Sequence, residues 1–113
     1  MLPRENRLKQ DKDFKALFSQ RSGVYDPICG LKYKKNGLPV SRAAVVVGTK
    51  VSKSAVVRNR LRRQIREALR LRFLSVAPGY DLAFLVRPAA KGKTYEELAM
   101  IVDNVLKKAK LLK

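Results

Sequence analysis

The feature that most constrains this chain is one long basic stretch, residues 50–72. Neither Gly nor Pro occurs from there until Pro78, so a helix is predicted from about Ala55, with Ser52 or Ser54 as its N-cap. On a helical wheel of about 100° per residue, one arc is apolar and carries Val57, Leu61, Ile65, Ala68 and Leu69. The opposite arc carries Asn59, Arg62, Arg63, Arg66 and Arg70, and the flanks carry Arg58 and Arg60. One side of the helix can therefore be buried while the other presents guanidinium groups.

This basic face contains almost no acid. Lys50, Lys53 and seven arginines are accompanied in the stretch only by Glu67. Arginines spaced i,i+4 repel one another, and their planar guanidinium groups suit phosphate oxygens. A solvated surface helix usually mixes charges of both signs. The pattern therefore favours contact with a nucleic acid over the alternative, a solvated charged face.

The composition of the whole chain points to the same kind of partner. Its 113 residues predict a single domain, residues 1–113, with a formal net charge of +17. With Cys29 as the one cysteine and no histidine, an intrachain disulfide, a His/Cys zinc site and a nucleophile–His pair are excluded. We expect no catalytic residue and no metal ligand in the protein. Because no signal peptide and no long apolar run occur, we expect a cytoplasmic protein without a membrane partner.

The rest of the chain predicts an α+β sandwich, with helices over a small sheet. In order, the predicted elements are a helix at 11–21 capped by Asp11, strands at 24–34 and 43–48, the basic helix, a strand at 80–87 and a helix at 95–110 that begins with a Thr94–Glu97 capping box. The strand at 43–48 is predicted to be central and to pair with 24–34 as a hairpin. A parallel pairing of 43–48 with 80–87 is also predicted.

Two phenylalanines on the first helix leave two interpretations open. Phe14 and Phe18 share a face with Leu17. Such a face is usually part of the core. It can also be a surface platform on which unstacked bases lie.

The motifs together resemble the bacterial ribonuclease P protein family over nearly the whole chain. The central motif is Arg58-Asn59-Arg60, followed by Leu61-Arg62-Arg63 and Arg66-Glu67. Further motifs, in order, are Asn6-Arg7-Leu8-Lys9, Asp13-Phe14 with Phe18, Tyr33, Arg87-Pro88-Ala89 and Thr94-Tyr95-Glu96-Glu97. The chain departs from the family pattern at two places before the basic helix. It has Gly48-Thr49-Lys50 where many members have Ser-Lys-Lys. It has Val51-Ser52-Lys53-Ser54, without glycine, where many members have a glycine just before the helix.

The resemblance implies an αβββαβα two-layer sandwich similar to a domain of a ribosomal protein, with a left-handed βαβ crossover against the usual rule. It implies the protein subunit of a ribonucleoprotein that removes the 5′ leader of precursor tRNA. In that family the RNA subunit is the catalyst, and magnesium is held mainly by RNA. The isolated protein is not expected to cleave RNA, and no DNA partner is implied.

The resemblance also assigns residues position by position. It implies contacts with the RNA subunit for Lys50, Lys53, Arg58, Asn59, Arg60, Arg62, Arg63, Arg66 and Arg70. It implies contacts with the 5′ leader for Phe14, Phe18 and Tyr33, and further RNA contacts for Arg7 and Lys9. The alternatives left by composition alone are a structural RNA-binding protein of ribosomal type, a DNA-binding protein and a free-standing nuclease.

Overall fold

The computed structural model describes residues 2–20 and 23–113. Its elements in chain order are α1 (Asp11–Phe18), β1 (Gly23–Val24), β2 (Cys29–Lys35), β3 (Arg42–Val46), α2 (Ala55–Arg72), β4 (Tyr80–Val86) and α3 (Tyr95–Lys108). The predicted order αβββαβα and the α+β fold class are confirmed.

The four strands form one sheet in the order β1-β2-β4-β3. β2 is antiparallel to β1 and β4, whereas β3 is parallel to β4, as predicted. The predicted hairpin between β2 and β3 and the predicted central place of β3 are both wrong, because β4 lies between the two strands. β4 is the more apolar strand, with Leu82, Ala83 and Phe84 all fully buried, so it takes the interior place and leaves β3 at the edge. The hand of the β3–α2–β4 crossover stays a prediction.

The two faces of the sheet are covered unequally. On one face, alternate strand residues such as Leu31, Leu82 and Phe84 join the buried sides of α2 and α3 in the main core. On the other face, α1 makes a small cluster around Leu17 and Ala83. We call these the closed face and the open face. The closed face carries most of the buried apolar surface, which is the main source of folding free energy.

α2 has the predicted bounds and the predicted buried side. Ser54 is the N-cap, and its Oγ accepts a hydrogen bond from the Val57 amide at 3.3 Å. The side turned to the core is fully buried at Leu61, Ile65, Ala68 and Leu69. The core therefore fixes how α2 is rotated, and with it the direction of the arginines.

The extended segment 24–34 and the first helix differ most from their predicted limits, whereas β3, β4 and α3 differ by one or two residues at an end. The extended segment 24–34 is broken into β1 and β2 because the Asp26 carboxylate accepts from the amides of Ile28 (2.8 Å) and Cys29 (3.3 Å), which forms a turn at Pro27. α1 ends at Phe18, where the Ser19 hydroxyl donates to the Ala16 carbonyl at 2.8 Å. The predicted end of α1 at residue 21 lies outside the described residues.

The N-cap of α1 and the last residue of α3 also differ from the prediction. Gln10, not Asp11, is the N-cap of α1, and Asp11 lies in the first turn, where a negative charge suits the helix dipole. The Thr94–Glu97 capping box of α3 is confirmed. α3 ends two residues earlier than predicted because Lys110 adopts φ 60°, and the Leu111 amide then donates to the Leu106 carbonyl at 3.0 Å.

Candidate nucleic-acid interface

The exposed side of α2 forms a shallow concave surface, outlined by Val56 together with Asn59, Arg62, Arg63 and Arg66. We call the last four residues the basic strip. Arg62 is held in place by donating to the Asn59 side chain and, at 3.4 Å, to the Val47 carbonyl. Among the described residues, Arg63 and Arg66 have no hydrogen bond or ion pair with the protein. The basic strip thus combines one fixed guanidinium group with two that are available to an anion.

The other predicted residues of α2 have different surroundings. Arg58 is half-buried and donates to the Ser52 carbonyl at 2.9 Å, so it holds the turn before α2. Arg70 is paired with Glu67, with 3.0 Å between Nε and Oε2, and this hydrogen bond lowers the pKa of Glu67. Arg60 is exposed on the flank of α2 opposite to Arg58. The predicted set is therefore not one uniform surface.

Lys50 and Lys53 are exposed in the segment that leads into α2. Lys50 lies beside a shallow groove that Leu85 and Pro88 also line, near the ends of β3 and β4. Neither lysine lines the basic strip. Their predicted contacts with RNA stay predictions.

The structure brings Arg7 and Lys9 next to the basic strip. Both line a cavity of about 250 Å³ that Arg66 also lines. Arg7 donates from Nε to the Leu2 carbonyl at 2.8 Å, which folds the N-terminal segment back on itself. Arg7 and Lys9 are far from α2 along the chain, so the sequence gave no reason to group them with the basic strip. Arg66 connects the two positive regions into one surface.

The phenylalanines of α1 lie at the margin of the open face. Their rings are stacked with centroids 6.0 Å apart and an angle of 30° between planes. Leu17 is fully buried, Phe14 is half-buried and Phe18 is 42% exposed. Leu17 is therefore the core residue of α1, and the stacked pair leaves an aromatic ring available to a ligand.

The resemblance assigns Tyr33 to the leader together with the two phenylalanines, but the structure does not bring Tyr33 onto their surface. Tyr33 packs on the closed face, against Tyr80, with ring centroids 6.5 Å apart. Its strand neighbour Lys32 points to the open face instead and donates to the Gln20 carbonyl at 2.7 Å. Successive strand residues face opposite sides of a sheet. Strict alternation along the strand puts Tyr33 on the same side as Cys29, which is buried, so the sequence already contained this information.

One group of residues on the open face was missed in the sequence. Arg42 on β3 forms a two-pronged ion pair with buried Asp81 of β4, at 2.9 and 2.7 Å, and also contacts Asp13 of α1 at 3.3 Å. The hydrogen bonds from Arg42 to Asp81 are the main reason that the pKa of Arg42 is raised. This group ties α1 to the sheet and so sets where the phenylalanines lie. No local pattern could reveal it, because its members are far apart in the chain.

Other features of the described residues limit the chemistry. No group of three or more His, Cys, Asp and Glu side chains lies together in a way that could hold a metal ion in residues 2–20 and 23–113. In the same ranges, no helix is both long and apolar enough to cross a membrane. The surfaces found suit binding: an arginine-rich helix face, a basic cavity and a stacked aromatic pair with one exposed ring. They define a nucleic-acid-binding α+β protein as the class.

Comparisons with known proteins give the family. The model of the Ribonuclease P family matches residues 2–110. A ribonuclease P protein component of Clostridium kluyveri is 39% identical over 109 residues, which cover 95% of this chain and 96% of the relative. A Synechococcus relative of the same name is 40% identical over 121 residues, covering 99% and 87%. The chain belongs to the ribonuclease P protein family.

Solved structures agree with the sequence comparisons. The RNase P protein of Staphylococcus aureus superposes with a TM-score of 0.87 at 25% identity, over 96% of this chain and 98% of that one. The RNase P protein of Thermotoga maritima gives 0.81 at 25% identity, over 90% and 96%. Members of the family are the protein subunit of the ribonuclease P holoenzyme, which matures the 5′ end of tRNA, and this function holds for the chain.

Proposed function

We propose that the chain holds the RNA subunit of ribonuclease P mainly through the basic strip of α2. The observation that carries this is the pair Arg63 and Arg66, which face outward on the exposed side of α2 and have no protein partner among the described residues. Uncompensated guanidinium groups are well suited to phosphate oxygens. Phosphate contacts position a partner without reading its sequence.

The open face takes the single-stranded 5′ leader of precursor tRNA. Phe18 offers an exposed ring stacked on Phe14, and base stacking on aromatic rings tolerates any base. Leaders differ between precursors, so a base-tolerant surface fits this ligand. Lys32, on the same face, adds a positive charge beside α1. The two phenylalanines and the basic strip would thus hold two different partners.

The protein binds and positions, and the RNA subunit catalyses. No histidine is present, and the buried carboxylate Asp81 is occupied by Arg42 and Asn36. Magnesium would be held mainly by the RNA subunit. We further propose that the chain works in the cytoplasm, where its tRNA substrates are, with no membrane and no DNA partner.

Cleavage of precursor tRNA at low magnesium tests this function. A bacterial ribonuclease P RNA is incubated with and without the full chain, and the product ends are mapped. Cleavage at the mature 5′ end only when both are present is the expected result. Binding of the RNA without any gain in cleavage would indicate a structural RNA-binding protein instead. Cleavage by the protein alone would contradict the division of labour between the subunits.

A further inference from the structure

The cavity beside Arg66 has features that the basic strip lacks. It lies at the outer edge of β3, where the N-terminal segment passes close to α2, and its volume is about 250 Å³. Its floor is apolar and is made by Leu2, Leu8, Val45 and Leu69, which are all buried. Its basic lining residues are Arg7, Lys9 and Arg66, and no acid lines it in the described part of the chain. A ligand that fills it must be apolar at one end and anionic at the other.

The backbone of β3 adds hydrogen-bonding groups to this cavity. The Ala43 carbonyl accepts from the Leu8 amide at 3.0 Å, and the Val47 carbonyl accepts from Arg62 at 3.4 Å. Alternate residues of a strand point their amides and carbonyls to the same edge. Val45 therefore points its N–H and C=O outward between these two covered positions. Within residues 2–20 and 23–113, no group bonds to Val45 at that edge.

The gap at Val45 is one residue long. An added peptide strand needs a run of open edge groups, and here Leu8 and Arg62 close both sides. A flat heterocyclic base needs only one donor and one acceptor, because each RNA base presents an acceptor beside a donor. Its ring would lie on the apolar floor. The length and chemistry of the gap favour a base over a peptide.

We propose that this cavity takes one unstacked nucleotide of the RNA subunit, with its base bonded to the Val45 backbone and its phosphate held by Arg66 and Lys9. Arg66 also belongs to the basic strip, so the neighbouring phosphates of the same RNA strand can continue along α2. The inference rests on the proposed function and assigns a particular pocket within it. Because Val45 offers backbone groups only, the pocket accepts any of the four bases.

An NMR titration of the full chain tests the pocket directly. The probes are the four ribonucleoside 5′-monophosphates and, at matched ionic strength, inorganic phosphate. We expect the mononucleotides to shift the Val45 amide and the methyl signals of Leu8 and Leu69, and to bind at least fivefold more tightly than phosphate. Phosphate should move only signals near Arg66 and Lys9. Equal affinities with the same set of shifted signals would overturn the proposal.

A filled cavity gives a second test. Ala43→Leu enlarges a side chain that lines the cavity on the same side of β3 as Val45 and Leu69, whereas Ala89→Leu makes the same change at an exposed position. We expect Ala43→Leu alone to abolish the mononucleotide-specific shifts and to weaken RNA-subunit binding about tenfold. If Ala43→Leu does not fold, the titration of the unaltered chain still decides.

The two proposals fail in different ways. A chain that supports precursor cleavage but binds mononucleotides no better than phosphate overturns the pocket and leaves the proposed function standing. A chain that binds mononucleotides at Val45 but does not support cleavage supports the pocket and overturns the proposed function.

Discussion

The closed and open faces of the sheet differ in how much apolar surface they bury. On the closed face, two long helices exclude water from a core that contains Phe84, Leu82 and Leu31. On the open face, one helix of eight residues leaves Ala44 and Leu85 half-buried. Both faces belong to the same strands, because alternate residues point to opposite sides. The difference fits the proposal that stability depends on one face and leader binding on the other.

Arginine has different roles in the two regions. Arg42, on the open face, contacts two carboxylates and joins three elements of the fold. On α2, which covers the closed face, Arg63 and Arg66 form no ion pair with an acid of the described residues. The same side chain is structural where it is paired with acids and is available for RNA where it is not. The placement of the few acids thus decides which arginines can bind a ligand.

The largest expected effect is the loss of a core ring from the closed face. Phe84→Ala should lower the free energy of unfolding by about 3–5 kcal/mol, because it removes buried apolar surface and leaves a cavity. Urea unfolding followed by circular dichroism measures this. Leu74→Ala, at a residue 92% exposed, is the control and should change stability by less than about 0.5 kcal/mol. Similar losses for both variants would contradict the role given to the closed face.

Removing charge from the basic strip should separate binding from stability. The double variant Arg63→Ala, Arg66→Ala should weaken RNA-subunit binding about a hundredfold, from roughly 1.5 kcal/mol for each charge-assisted contact. Stability should stay the same or rise, because repulsion between like charges is reduced. Lys107→Ala with Lys108→Ala removes the same charge from α3 and is the matched control.

The salt dependence of the same binding sharpens this test. The slope of log affinity against log salt should become shallower by roughly 0.7–0.9 for each phosphate that the variant no longer neutralises. An unchanged slope in the arginine variant would show that these side chains do not bind phosphate.

Loosening α1 should affect the open face more than overall stability. Asp13→Asn removes one carboxylate from Arg42 and leaves Asp81 in place. Because both partners are partly exposed, we expect a stability loss of at most about 1 kcal/mol. Affinity for precursor tRNA should fall severalfold, since Phe14 and Phe18 lose a fixed position. Asp103→Asn, which removes the ion pair of Arg72 between α2 and α3, should leave precursor affinity unchanged.

The smallest expected effect concerns the thiol on the closed face. Burial raises the pKa of Cys29 from 9.0 to about 12. The neutral thiol therefore contributes stability below about pH 9, and this contribution is lost as the pH rises towards 12. Thiol labelling at about pH 8 should proceed only as fast as the protein opens. Rapid labelling in the folded state would place Cys29 outside the core.

The limits of the sequence predictions follow from the range of the interactions. The bounds and rotation of α2 could be predicted because they depend on local periodicity and on Ser54. The edge position of β3 in the sheet could not be predicted, because a β-branched run predicts a strand but not the strands that lie beside it. The ion pair of Arg42 with Asp81 was equally inaccessible, since it joins residues 39 apart. The face of the sheet on which Tyr33 lies could have been predicted, because the alternation of Tyr33 with Lys32 is local.

We propose that leader binding and RNA-subunit binding use separate surfaces of this molecule. The most direct test measures holoenzyme affinity for precursor tRNA and for the same tRNA without its leader, using Phe18→Ala. We predict a loss of about 5- to 150-fold for the precursor, from roughly 1–3 kcal/mol of stacking per base. Affinity for leaderless tRNA and for the RNA subunit should not change. An equal loss for both tRNAs, or no loss for either, would contradict the assignment of the open face to the leader.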